Sequence, residues 1–563
     1  MSRLTIIEGN SNNKDNVRVI MVKGEKGDMG DLNHNDIIDN LESSSTDKVL
    51  SAKQGKELKD LIDAQEELIN KKPYYFDTVA EMKLYELKVG DYAITKGYYE
   101  ANDGGAGQYE IVDDDTLTDD GGSVIELGNG LKAKLIANKI IYPENFGAKG
   151  DGENDDTIPI QKMIDYCNSI NKTINFNQKT YKITDTIYLR NNNVNIEGNQ
   201  ATIYSEIDKS IISMASGTRL NNCVIQNLYI NGGIAKENSI GLRVMAYHSL
   251  FKNISIHYCG IGFKVDTAGI TDNLVGNQFE NIQIRYCSVY SMYIGDNNNN
   301  RLTDGYINNC VFGGDVSEYH LYIGSAIGYK ISNIHTWGNC KCAFNFRNTG
   351  RTFIDGVYIE DYKNSAFAVH LSRDLELNNL TIKTNHSNSE VFQINQVPST
   401  TKKVVNISNV LIDNETELEN ITIFNGDNNS YVDVNLSNFI ATGTTDYTFK
   451  NTNNTRLLIK NNTIKSLVNT DIDYTKYPTL YDFARFGITQ NCKAIIYGAR
   501  YNNQFTDMPT MTEGTYTLEI TKATSGGYAS FMLINHSANI FKAYLGCIKE
   551  NTNVVTWKEI TMS

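Results

Sequence analysis

The chain has 563 residues, long enough for several domains or one long repeat array. Its 66 acidic residues outnumber its 52 basic ones, giving a net charge of −14, and no basic cluster stands out, which excludes nucleic acid as a partner. No apolar run reaches bilayer length and the start, Met1 to Glu8, lacks the apolar core of a signal peptide, so synthesis in a cytoplasm without membrane insertion is expected.

Residues 1–32 hold a strand-like piece, Val17 to Val22, and then Gly-X-Y triplets at Gly24, Gly27 and Gly30. Glycine at every third place is what a triple helix needs at its axis. Residues 33–72 read as a helical stem, with Ser43, Ser44, Ser45 and Thr46 as caps before Lys48. Leu58, Leu61, Gln65 and Leu68 follow an a/d spacing, the pattern of a coiled coil. Triplets and heptads agree on a parallel homotrimer. Residues 73–140 read as a small α+β unit: Asp77 stands where it would cap a helix from Thr78, and glycine-rich turns lead to a strand pair around Val124 to Ile136.

Residues 141–468 are organised by a recurring rung, Asn-apolar-x-Ile. It reads Asn227-Leu-Tyr-Ile230, Asn253-Ile-Ser-Ile256, Asn281-Ile-Gln-Ile284 and Asn379-Leu-Thr-Ile382, with degenerate copies starting at Asn309, Asn333, Gly356, Asn409, Asn438 and Asn462. The starts lie 23 to 30 residues apart, the period of a solenoid whose copies cannot bury a core alone. Within each rung the apolar residues alternate with period two, so the coils are strands: a right-handed parallel β-helix. The 34 Tyr and 20 Phe suit strands, and only 6 Pro interrupt the ladders. The nine Cys show no metal-ligand spacing and read as small apolar fillers inside the coil; no metal or cofactor is expected. In residues 469–563 the rung stops, and short strands such as Thr515 to Ile520 recur at roughly ten-residue spacing, the sign of a small β-sandwich.

Three stretches resemble known families. The run Thr78-Val-Ala-Glu-Met-Lys83, followed by Gly90-Asp91, Gly97-Tyr-Tyr99 and Asp103-Gly-Gly-Ala-Gly-Gln-Tyr109, is similar to the head domain that precedes the β-helix in many phage tailspikes. Asn145-Phe-Gly-Ala-Lys-Gly-Asp-Gly-Glu-Asn-Asp-Asp-Thr157 resembles the entry motif of the pectate-lyase-like superfamily, a glycine-rich loop feeding a helix whose Ile158, Ile160, Met163 and Ile164 would plug the end of the solenoid. Asp151, Asp155 and Asp156 in that loop read as turn and cap formers rather than catalysts. The C-terminal Gly514-Thr-Tyr516 strand and Trp557-Lys-Glu559 more loosely resemble the knob module of phage and pyocin tail fibres. These resemblances imply a homotrimeric virion component, made in the host cytoplasm. Its N-terminal segment would join a tail or baseplate protein, and its β-helix would bind a host polysaccharide or teichoic acid.

Equal phases of successive rungs form columns about 4.8 Å apart. Four past each start stand His257, Arg285, Gly313, Trp337, Glu360 and Lys383, and five past stand Tyr258, Tyr286, Gly314, Gly338, Asp361 and Thr384. This predicts a polar and aromatic wall with a glycine floor, chemistry suited to sugars. Glycosidic cleavage needs an acid and a base or nucleophile, roughly 5–5.5 Å apart for retention and 6.5–9.5 Å for inversion. Glu360 and Asp361 are the first candidates, with Asp315 or Asp304 as the second carboxylate. His335 is placed to orient one, or to serve as base in a lyase. Trp337, Arg285, His257, Tyr286 and Tyr362 are the expected glycan contacts. The readings that stay open are a depolymerase, a non-enzymatic adhesin on the same fold, and a polysaccharide lyase.

Overall fold

The computed structural model describes most of residues 49–464 apart from short loop segments, together with residues 37–38 and five strands between 492 and 561. The chain divides into two compact units, 1–73 and 74–563. In the first, Ile37–Ile38 pairs in parallel with Val49–Leu50, and a single helix follows at Ala52–Asn70. The helix starts later than the sequence suggests: Ser51 is its cap, its hydroxyl accepting the Gln54 N–H at 3.1 Å. The triplets and the caps proposed at 43–46 lie outside the described residues. Leu58, Leu61 and Ile62 are exposed on this helix in the single chain.

The second unit opens with a five-stranded sheet in the order Tyr74–Phe76, Tyr92–Thr95, Gln108–Val112, Lys132–Leu135, Val124–Glu126, the first pair parallel and the rest antiparallel. Its short helix, Val79–Leu84, is capped by Thr78 rather than Asp77: the Thr78 hydroxyl accepts the Glu81 N–H, and the Glu81 carboxylate accepts the Asp77 N–H. That reciprocal pair satisfies two donors that the first turn leaves open. Asp103 organises the glycine-rich loop by accepting N–H groups of Tyr98, Tyr99, Glu100 and Gly105.

The entry loop uses its aspartates as turn formers, and Asp156, at the N-cap of the following helix, makes no side-chain cap bond. Asp156 accepts from the backbone of Lys149 and Gly150, and Asp151 from Glu153 and Asn154. Backbone N–H groups of Asn154 and Glu153 hold the Asp151 carboxyl down at about 2. The helix Thr157–Ser169 buries Ile160, Met163, Ile164 and Cys167 against the first coils, while Ile158 points to water. It closes the open end of the solenoid.

From there the chain winds a parallel β-helix. The first sheet stacks long strands, among them Val224–Asn231, Leu250–His257, Gln278–Arg285, Tyr306–Gly313, Lys330–Trp337, Thr352–Ile359 and Leu375–Ile382. The second is eleven strands deep, and short two-residue strands make a third side. The rung motif now has a cause. The motif position at 227, 253, 281, 309, 333, 379, 409 and 438 is an Asn at φ between 51° and 57°, and at 356 it is Gly at 69°. Asn is among the few residues that tolerate this left-handed bend. Its side chain then bonds the rung before: Asn253 Nδ2 donates to Asn227 Oδ1 at 2.9 Å, and Asn281 Nδ2 to Asn253 Oδ1 at 2.8 Å. The next apolar residues, Leu228, Ile254 and Ile282, drop into the core, each contributing roughly 2 kcal/mol. Phe344, Phe367 and Phe392 stack inside the opposite sheet at 5.0 and 5.5 Å. Seven described thiols, including Cys259 and Cys287, are buried and unpaired.

Near the C-terminus the described strands, Cys492–Tyr497 through Val555–Thr561, form one five-stranded antiparallel meander where a two-layered sandwich was expected.

Candidate functional site

The wall is in register. His257 pairs with Arg285, Arg285 with Gly313, and Gly313 with Trp337. Glu360 follows, its N–H bonded to the Thr336 carbonyl, and Lys383 bonds the Ile359 carbonyl in the same way. One residue on, the strand turns a corner. Tyr258, Tyr286, Gly314 and Gly338 all take positive φ there, at 57°, 57°, 87° and 93°. For the two tyrosines this is a strained backbone, at order 1–3 kcal/mol each. Their rings stack at 5.3 Å with planes 13° apart, and Trp337 meets Tyr286 edge-on at 5.8 Å. Tyr258 and Tyr286 stay 40% and 43% exposed.

The glycine floor does not leave an empty slot. A Cβ on Gly313 would lie 2.1 Å from Trp337 Cε2, and one on Gly314 would lie 2.7 Å from Tyr286 Cδ1. The indole and phenol rings lie against the glycines, so the floor is what makes room for the aromatic cluster.

Beside this platform sits Glu360. His335 Nε2 lies 3.4 Å from Glu360 Oε1, and the His335 ring stacks on Tyr358 at 4.9 Å. Tyr358 and His335 share a register position two residues before Glu360 and Trp337, hence the same outer face. The Tyr358 hydroxyl is pushed above its ordinary pKa by burial and then by its bond to Glu360. Tyr358 is the member that sequence reading missed, although two-residue alternation back from Glu360 points to it. His257 is pushed below its ordinary pKa, by burial first and by the Arg285 guanidinium second; the Ser255 hydroxyl lies 3.0 Å from its Nε2. Arg285 reaches Gln283 at 3.3 Å.

The other expected residues fall elsewhere. Asp361 and Asp315 share a turn phase: Asp361 Oδ1 accepts the Asn385 N–H and Asp315 Oδ1 accepts the Asn339 N–H, so each ties its corner to the next rung. His386 closes this turn, 2.7 Å from Asn339 Oδ1 and 3.8 Å from Asp361 Oδ2. Asp304 lies at the opposite end of the strand Tyr306–Gly313 and is not brought to the wall. Tyr362 is fully buried in the coil and cannot meet a glycan, because the corner at Asp361 resets the in–out alternation. Beneath the corner, buried His320 contacts the Ser291 hydroxyl at 3.0 Å and the Gly338 carbonyl at 3.4 Å. Burial drives its pKa down to about 4, so it stays neutral with the proton on Nε2. Among the described residues no group of His, Cys, Asp and Glu could hold a metal ion.

Comparison with known proteins adds the following. Residues 37–70 match the phage tail fiber repeats, and residues 75–137 match the phage tail protein small four-stranded beta-sheet domain. No curated protein matches the chain by sequence. The fold is similar to that of the Acinetobacter phage vb_AbaP_AS12 gp42 tailspike, at 15% identity and a TM-score of 0.50, covering 87% of this chain and 94% of that one. The Acinetobacter phage vB_ApiP_P1 tailspike gives 12% identity, coverage of 87% and 91%, and a TM-score of 0.48. The tailspike gp49 of Acinetobacter baumannii bacteriophage Fri1, described as a capsular polysaccharide depolymerase, gives 11%, 87%, 92% and 0.40. Segments that match phage tail modules therefore precede a parallel β-helix whose fold is similar to that of the first of these tailspikes.

Proposed function

We propose that this phage tail protein is a tailspike that binds a host-surface glycan along the wall and cleaves it by acid/base chemistry. The observation that carries the reading is the His335–Glu360 pair set beside the Tyr258–Tyr286–Trp337 platform. Aromatic faces take the C–H faces of sugar rings, and a carboxylate with a histidine and a tyrosine at hand is equipped to move a proton. Glu360 is the acid. The second carboxylate would come from the adjoining turn, where Asp315 stands two rungs away, ~10 Å along the axis and near the inverting range, with Oδ2 left for chemistry while Oδ1 accepts the Asn339 N–H. Asp361 braces the turn, and His335 and Tyr358 hold Glu360 in place.

The exposed Leu58, Leu61 and Ile62 on the N-terminal helix support self-association, read here as a parallel homotrimer. The N-terminal segment would join the tail, and the glycan would be a teichoic acid or an exopolysaccharide.

The test is product release from purified host-wall glycan by wild type and Glu360→Gln. Wild type should release oligosaccharides with new reducing or phosphate ends, and the variant should bind normally while cutting at least ~100-fold more slowly. Products absorbing in the ultraviolet through a new double bond would instead mark a lyase. Binding without release under any condition would leave an adhesin.

A further inference from the structure

A second constellation lies on the outer face of the other sheet, away from the wall. Strands Tyr290–Gly295, Tyr319–Gly324, Cys342–Thr349 and Ser365–Leu371 run in parallel register. Tyr290 therefore faces Tyr319, and Tyr293 faces Tyr322, which in turn faces Asn345. The rings of Tyr293 and Tyr322 stack at 4.7 Å with planes 11° apart, and Tyr319 lies 5.9 Å from Tyr322 at 20°. Tyr290 stands edge-on to Tyr293 at 5.2 Å. Two residues beyond the Tyr293 column, Gly295, Gly324 and Arg347 are in register, followed by His370. A Cβ on Gly324 would lie 2.8 Å from the Tyr322 ring, so the glycine lets that ring lie flat and sinks the floor beside it.

The result is a groove of about 330 Å³ bounded by the four tyrosines, Asn345, Arg347 and His370. That volume falls in the range of small-ligand clefts. No Asp or Glu lines it, although the chain as a whole carries −14. At its margin Glu318 is paired with Lys341 at 3.3 Å, and Lys341 and Lys264 sit 5.8 and 5.6 Å from the Tyr319 and Tyr293 ring centroids. Stacked aromatic faces call for a sugar ring, and the cationic end calls for an anion on that ring.

We propose that this groove is a second, non-cleaving saccharide site, which packs a sugar against Tyr293, backed by the buried Tyr322, and holds its acidic substituent, carboxylate or phosphate, at Arg347. The choice of a saccharide rests on the reading of the protein as a glycan binder; the acidic group is read from the groove itself. Its function would be to keep a long polymer on the β-helix while the wall works.

Calorimetric titration of the full chain with a galacturonate hexamer, a glycerol-phosphate hexamer and neutral maltohexaose tests this. One acidic probe should bind, naming uronate or phosphate as the source, and maltohexaose should not displace it. Arg347→Met and Tyr293→Ala should each weaken that binding tenfold or more, and Tyr293→Phe should retain it. If neither acidic probe binds, or if one binds equally well to Arg347→Met and Tyr293→Ala, the second site is wrong. The wall reading fails separately, through a wild type that releases no product.

Discussion

The four coils that start at Asn253, Asn281, Asn309 and Asn333 bend twice through left-handed backbone near the wall, and the two bends are built from different material. At the first, Asn253, Asn281, Asn379 and their equivalents repeat rung after rung, with Asn253 and Asn281 bonding the Asn of the rung before and Asn379 bonding the Asp355 carboxylate. At the second, the same conformation is taken by Tyr258, Tyr286, Gly314 and Gly338. Asn is at ease there, and its side chain adds a ladder. Tyrosine is not at ease, and nothing about folding asks for it. A chain that could place Asn or Gly at a bend and instead keeps two bulky rings, exposed and stacked, has a reason outside stability. One bend holds the coil, and the other carries the surface proposed to bind glycan.

Acid should separate the two bends most strongly. At the rungs of Asn253 and Asn281 the ladder is carboxamide to carboxamide and does not titrate, whereas His320 lies under the second bend, neutral, with its pKa lowered to about 4. A histidine depressed on folding stabilises the fold fully above its unfolded pKa near 6.5 and loses that contribution as pH falls from about 6.5 to 4. The loss should reach roughly 3 kcal/mol. Replacing His320 by Gln should flatten the pH dependence of the thermal midpoint between pH 4 and 6.5; an unchanged slope would acquit this residue.

Next in size is Asn281→Ala, which forces alanine into the left-handed region and removes the bond to Asn253. Denaturant titration should show a loss of about 2 kcal/mol, with Asn281→Gly recovering about half and neither touching glycan affinity. Loss of affinity with stability intact would reverse the assignment of the two bends. Gly313→Ala should do the opposite. Its Cβ would displace the Trp337 indole, weakening glycan binding about tenfold, or ~1.4 kcal/mol, for a smaller change in melting. The smallest effect is at the rung where the ladder lapses. Gly356 has φ 69°, and a Cβ there would approach Asn333 Oδ1 at 3.1 Å, the distal end of a side chain that can shift. Gly356→Asn should therefore be neutral or stabilising by about 0.5 kcal/mol, and Gly356→Ala destabilising by about 1 kcal/mol. Equal losses for both would mean the lapse is required.

The repeat was legible in the sequence because the same two demands, a left-handed corner and an inward aliphatic, recur in every coil as Asn and Ile. The column from His257 to Lys383 was legible for the same reason, since register follows from the spacing of those Asn. Spacing carries no information on where a ring lies down. The Trp337 indole over Gly313, and the filled floor that results, come from side-chain direction. Tyr362 turned inward because the corner before it breaks the alternation on which its placement rested. Asp304 is close to the wall in sequence and a strand's length away in space. The caps at Ser51 and Thr78 were each displaced from the expected residue by local hydrogen bonds with several equivalent candidates. The second groove had a signal that passed unread: Tyr-x-x-Tyr at 290–293 and again at 319–322, one coil later.

The buried thiols carry a consequence for how the coil opens. Cys223, Cys259, Cys287, Cys310 and Cys340 sit in successive turns, unpaired, and burial raises the pKa of each. A closed turn therefore presents neither access nor thiolate to an alkylating reagent. In a stacked array each turn is stabilised chiefly by its two neighbours, so openings should spread along the axis. The order in which these cysteines alkylate under mild denaturant would be a clock, reading out which end of the coil comes undone first.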